Sequence, residues 1–136
     1  MPINLNEDTL CLIKDYLIEK TAPDVIILFG SAAKGKLRCD SDIDLAILSD
    51  QTYEDYDLFM IAQGLADRLD RDVDLVHLNK ATTVFQAHVI STGKVLYCAD
   101  ELKRALFYML TLKKYAQLNE ERECVLNKLE KEGYGL

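Results

Sequence analysis

Val25-Ile26-Ile27-Leu28-Phe29-Gly30-Ser31, then ten residues, then Asp42-Ile43-Asp44-Leu45-Ala46-Ile47-Leu48: the fold of this chain turns on that stretch. Five β-prone apolar residues in a row, with no polar alternation, mark a strand covered on both faces. The strand stops at Gly30-Ser31. Glycine there admits a ligand close to the backbone. Exposed backbone N–H groups at such a turn attract phosphate, and a serine hydroxyl adds one more donor. The connection Ala32 to Ser41 is lysine-rich and contains Gly35, and a second strand follows from Asp42 to Leu48.

In that second strand Asp42 and Asp44 stand two residues apart, so both side chains project from one face, roughly 6.5–7 Å apart along the chain. Carboxylates so placed can converge on cations about 3.5–4 Å apart, the two-metal arrangement of phosphoryl and nucleotidyl transfer. Ile43, between them, faces the core. Ala46, next on the aspartate face, is apolar, which argues against a merely solvated polar face. Side-by-side carboxylates repel unless a cation or a proton relieves them. A third acid has the same setting: Val73-Asp74-Leu75 repeats the pattern Ile43-Asp44-Leu45. Asp72 shares its face and competes for the role; Asp74 is preferred because it sits deeper in the apolar run. Hard oxygen donors of this kind select Mg²⁺ or Mn²⁺.

Outward from these strands the pattern alternates. Asn4 with Glu7 resembles a capping box opening a first helix, with Leu10, Ile13 and Leu17 at helical spacing and Pro23 closing it. Thr52 with Asp55 predicts a second helix start, and Leu58, Ile61, Ala62, Leu65 and Leu69 form its apolar face. Val73–Leu78 reads as a third strand. Thr82 to Thr92 fits a short helix stopped at Gly93, and Val95–Tyr97 a fourth strand. Asp100 is placed to cap a last helix from Glu101 to about Lys131, with a break expected near Asn119. Leu102, Leu106, Met109 and Leu110 are expected to face the core, and Tyr108, Tyr115 and Leu118 to extend past it. The order predicts an α/β (α+β) fold, one small mixed sheet flanked by helices, in a single domain. Its core would span about residues 23–98 and its C-terminal helical region about 101–131.

The composition is that of a globule: 136 residues, 49% hydrophobic and 29% charged. Net charge is −7, and residues 40–74 hold eleven acids against only Arg68 and Arg71. That block argues against direct DNA or RNA binding and suits metal cations or a basic protein partner. No apolar run approaches the roughly 20 residues of a membrane span. The N-terminus has no signal-peptide pattern, and Cys11, Cys39, Cys98 and Cys124 form no CxxC motif. A cytoplasmic protein with reduced thiols is expected. His77 alternates away from Asp74 and reads as structural; His88 reads as a surface residue. Tyr53 and Tyr56 read first as packing residues, with stacking on a base as the sharper alternative.

Leu28-Phe29-Gly30-Ser31, ten residues, then Asp42-Ile43-Asp44-Leu45, followed by an apolar–Asp–apolar strand, resembles the signature of the DNA-polymerase-β-like nucleotidyltransferases. The short length resembles their minimal branch, in particular the MntA-type antitoxins. The likeness is carried by residues 25–78. It implies that Gly30 and Ser31 hold the β/γ-phosphates of ATP. It also implies that Asp42 and Asp44 bind two Mg²⁺ ions, and that Asp74 binds the catalytic one and serves as base. Ala32 and Lys34 stand where many relatives carry arginine, and Lys34, Lys36 or Arg38 is then the candidate to supply the phosphate charge, Lys34 first. The implied partner is a HEPN-type (HepT-like) ribonuclease toxin. In that case the chain is its antitoxin, moving AMP from ATP to a toxin tyrosine and releasing pyrophosphate. Two other readings stay open: a non-catalytic antitoxin that covers the toxin's active site, and a nucleotidyltransferase for a small-molecule acceptor.

Overall fold

The computed structural model describes residues 6–30, 33 and 42–131. Its centre is the apolar run read above, now strand β1 (Val25–Phe29), with every residue buried. β1 pairs antiparallel with β2 (Ile43–Leu48) on one side and with β4 (Lys94–Cys98) on the other. β2 pairs in parallel with β3 (Val73–His77), so the order is β3-β2-β1-β4. A parallel neighbour needs a crossover connection, and helix α2 (Asp55–Leu69) supplies it. The expected mixed sheet is therefore present.

Two layers cover the sheet. Ile26 and Leu28 of β1 and Ile43, Leu45 and Ile47 of β2 meet α1 (Glu7–Thr21) and α2. From the helices come Ile13, Tyr16 and Leu17, and Leu58, Ala62 and Leu65, at helical spacing. Ala33, from the connection after Gly30, is buried in the same cluster. Val25, Ile27 and Phe29, with Ala46 and Leu48, face the other way. There they meet Phe85 and Val89 of α3 (Thr83–Thr92) and Phe107 and Tyr108 of α4 (Glu101–Lys131). Phe29 and Phe85 cross edge to face at 5.7 Å. The alternation within β1 thus divides one apolar run between two cores.

The helix ends differ from expectation in places. Asn6, not Asn4, caps α1: its side chain accepts from the Thr9 N–H at 2.8 Å. Asn4 itself lies outside the described residues. The helix ends at Thr21, with Ala22 left-handed, before Pro23. α2 starts from Glu54, which makes no side-chain cap, rather than from Thr52. Thr82 caps α3 through the Phe85 N–H, and Asp100 caps α4 through the Lys103 N–H. The Lys103 ammonium also pairs with Asp24 and Asp50, tying the start of α4 to the two chain ends of the β1–β2 pair.

Three expectations about α4 fail, one being that Tyr108 extends past the core, for it packs within it. The helix is unbroken through Asn119. Phe107 and Tyr108 pack into the second core and Thr111 is buried, while Leu102, Leu106, Met109 and Leu110 are 45–70% exposed. The register is set by α3, against which α4 packs. A 31-residue helix is about 46 Å long. Toward its far end Val125 and Leu126 are exposed. Among the described residues no helix is long and apolar enough to cross a membrane, and Cys11, Cys98 and Cys124 are free thiols.

Candidate active site

The strand register brings the aspartates together. Asp44 of β2 lies directly beside Asp74 of β3 in the parallel pair and beside Phe29 of β1 on its other flank. Neighbouring strands are about 4.8 Å apart, so two carboxylates on one face are forced together. Asp42 precedes β2, exposed, one residue before Ile43, whose N–H donates to the Asp72 carbonyl at 2.9 Å. Asp72 and Asp74 are both exposed, but the cross-strand neighbour of Asp44 is Asp74.

The electrostatics follow from this crowding. Asp44 is half-buried, and burial pushes its carboxyl from 3.8 up to about 6. The charges of Asp74 and then Asp42 push the same way, as does a hydrogen bond with Asp74. Ionising Asp44 therefore costs more here than in water. A divalent cation relieves that, and the donors are the hard oxygens such ions take. The three acids do not form a closed cage by themselves. Among the described residues no trio of His, Cys, Asp or Glu is set to hold an ion, so nucleotide oxygens or water must complete any coordination sphere.

Gly30 completes the geometry. It follows β1 at φ +72°, a left-handed conformation open to glycine and costly to other residues. A Cβ at this position would collide with an Asp44 carboxylate oxygen. The bare backbone and the acid side chain thus lie against one another, as a phosphate-and-metal site requires. Ser31 and Lys34 lie outside the described residues.

Other candidates separate cleanly. His77 is buried on the opposite face, its Nε2 3.0 Å from the Ser49 carbonyl, and its Nδ1 is buried without a partner. Its ring meets Tyr53 edge on, and the Tyr53 hydroxyl donates to the Thr21 carbonyl. Tyr53 is thus a packing residue. Tyr56 and His88 are exposed. One feature escapes the sequence reading. A cleft of about 220 Å³ lies between α2 and β3, with Phe59 and Asp74 both in its wall. The signal was there: Phe59 is an aromatic residue off the apolar face of α2.

Comparison with known proteins gives the family of the chain. The sequence profile of the family described as polymerase beta, nucleotidyltransferase matches residues 12–102. The chain belongs to this family. Within it the chain is 38% identical over 103 residues to the protein adenylyltransferase MntA of Shewanella oneidensis MR-1, covering 76% of this chain and 73% of that one. It is 33% identical to the protein adenylyltransferase MntA of Aphanizomenon flos-aquae over 54% of this chain and 55% of that one. Among solved structures, a toxin–antitoxin complex with AMP-PNP contains a chain 35% identical to this one. They superpose with a TM-score of 0.79 over 93% of this chain and 99% of that chain. A complex of a tri-AMPylated Shewanella oneidensis HEPN toxin with its MNT antitoxin matches with a TM-score of 0.77 and 31% identity, again over 93% and 99%. This member is thus a nucleotidyltransferase of the MntA type, with the fold of antitoxins seen in those complexes.

Proposed function

We propose that this chain is the antitoxin of a HEPN/MNT pair and transfers AMP from ATP to a tyrosine hydroxyl of its HEPN toxin. The observation that carries the reading is the abutment of Asp44 on both Asp74 and Gly30. It unites a carboxylate pair and a bare backbone turn in a chain related to protein adenylyltransferases.

The roles follow from position. Gly30, with Ser31 and Lys34 after it, holds the β- and γ-phosphates by backbone N–H, hydroxyl and ammonium groups. Asp42, Asp44 and Asp74 are the residues that would hold Mg²⁺. Mg²⁺ held there would neutralise the triphosphate and make pyrophosphate a better leaving group. The acceptor oxygen attacks the α-phosphorus, and Asp74 takes the hydroxyl proton. The bond from the α-phosphorus to its bridging oxygen breaks, and pyrophosphate departs. Added phosphate charge beside a ribonuclease site repels RNA, which makes the transfer neutralising. ATP and the RNA target both place the reaction in the cytoplasm.

The test is intact-mass spectrometry on this chain and its HEPN partner, co-purified and given ATP with Mg²⁺. Mass steps of one AMP on the partner, lost with Asp42→Asn/Asp44→Asn while the complex persists, are the expected result. A tight complex with no mass change in the wild type sinks the enzymatic reading and leaves neutralisation by covering alone.

A further inference from the structure

We infer that the free end of α4 is a docking arm for the toxin: the stripe of Leu118, Arg122, Val125 and Leu126 receives an apolar patch of that basic, RNA-binding partner. This inference rests on the partner proposed above.

The direction of α4 is the first support. Lys103 pairs with Asp24 and Asp50, which lie just outside the paired Val25 and Leu48, at the end of the strands remote from Asp44. α4 therefore starts at the far end of the sheet and runs toward the aspartates. It passes the first turn of α3, where Thr83 lines one hollow with Lys114 and Leu118. Two residues on, Phe85 lies against Phe29 at 5.7 Å, and Phe29 is the β1 neighbour of Asp44. Alternation along β1 and β2 puts Phe29 and Asp44 on the face of the sheet that α3 and α4 cover. From Leu118 to its end at Lys131 the helix adds about 20 Å, so it projects past the site end of the fold.

From Glu120 to Lys128 every residue is exposed, yet the projecting stretch keeps an apolar stripe. Leu118, Arg122, Val125 and Leu126 fall at i, i+4, i+7 and i+8, and with Glu121 they line a groove of about 390 Å³. Val125 and Leu126 are 57% and 50% exposed. Apolar side chains aligned on an arm that has no core beneath it mark a surface for another molecule.

Position and charge choose the occupant. A protein that offers its acceptor hydroxyl to Asp74 sits at this end of the sheet. A standard interface covers about 800 Å² a side, roughly 30 Å across, and so reaches the arm. Over residues 119–126 three carboxylates, Glu120, Glu121 and Glu123, stand against Arg122 alone. A partner that binds RNA carries a basic surface, and the acidic arm attracts it. A second copy docked on the same stripe would bring a second set of the same carboxylates.

The test is binding to immobilised HEPN toxin, without ATP, of wild type, Val125→Ala/Leu126→Ala and Glu120→Gln/Glu123→Gln, read by interferometry. AMP transfer and light scattering of each chain alone accompany it. Alanine keeps the helix and removes the apolar surface. Val125→Ala/Leu126→Ala is expected to weaken the toxin Kd at least tenfold and to raise KM for the toxin likewise, with KM for ATP unchanged. The charge variant is expected to slow association at least threefold at low salt. Equal Kd for wild type and Val125→Ala/Leu126→Ala overturns the docking arm. A wild type that is dimeric alone, with Val125→Ala/Leu126→Ala monomeric and of equal toxin affinity, assigns the stripe to a second copy and overturns it too. Either result leaves the transfer reaction standing. Toxin binding that the alanine variant loses, with no transfer by wild type, upholds the arm and sinks the transfer reaction. No toxin binding by wild type overturns both.

Discussion

Asp44 concentrates the physics of the site in one residue. Its carboxyl is raised to about 6 by burial and by Asp74 and Asp42, so the fold prefers it protonated. Below pH 4 the folded and unfolded chains both carry the proton, and the group is neutral toward stability. As pH rises through 6, the folded chain must hold a charge that the unfolded chain holds freely. The folded state therefore loses stability through this group as pH rises from about 4 to 6, and the loss is absent at low pH. Asp44→Asn removes the effect. In metal-free urea titrations the variant should gain on wild type across that window, then keep a constant advantage at higher pH. Its transfer activity should fall at least ~100-fold. Equal stability of the two proteins at pH 8 would mean that Asp44 is not strained by its neighbours. Because Mg²⁺ takes the ionised form, its affinity for wild type should drop about tenfold per pH unit below 6.

At the scale of elements, the strands and the aspartate register were legible, and the face of the last helix was not. The β1 run, the Asp-x-Asp of β2 and the echo at Asp74 each combine residue type with strict two-residue alternation, which admits one arrangement. Residues 102–112 offer no such choice. Leu102, Ala105, Leu106, Phe107, Tyr108, Met109, Leu110 and Leu112 are apolar almost all round the helix, so periodicity selects no side. Contact with α3 decides instead, turning Phe107 and Tyr108 inward. The helix starts misread at Asn4 and Thr52 share a cause, because several cap-forming residues stand within three positions of each true start. The α4 register has a direct check. Leu106→Lys/Met109→Lys should change unfolding free energy by no more than ~0.5 kcal/mol, since both sites are exposed. Phe107→Ala should cost about 2 kcal/mol or more, a large-to-small change at a packed position. Reversed magnitudes would restore the core-facing reading of Leu106 and Met109.

For the molecule as a whole, the site is assembled from two connections: the β1–β2 pair brings Gly30, Asp42 and Asp44, and the α2 crossover brings Asp74. Ligand binding therefore tightens the whole sheet rather than a loop. A ligand present at 100 times its Kd stabilises by about 2.7 kcal/mol. For a domain of this size that is roughly 10 °C in Tm. AMP-PNP with Mg²⁺ should raise the midpoint by about that amount in wild type, and neither component should do so in Asp42→Asn/Asp44→Asn. A full shift in the double variant would place nucleotide binding away from these carboxylates.

The strand order also bears on how the chain is made. β1 is translated early, yet its second neighbour, β4, follows about 70 residues later, and α4 later still. At 5–20 residues per second, the ribosome needs roughly 4–14 s to supply that neighbour. Through that interval Val25, Ile27 and Phe29 have one uncovered face, although every aspartate of the site is synthesised before it ends. Completion of the proposed site therefore trails synthesis of its aspartates and waits until the last strand and helix have left the exit tunnel.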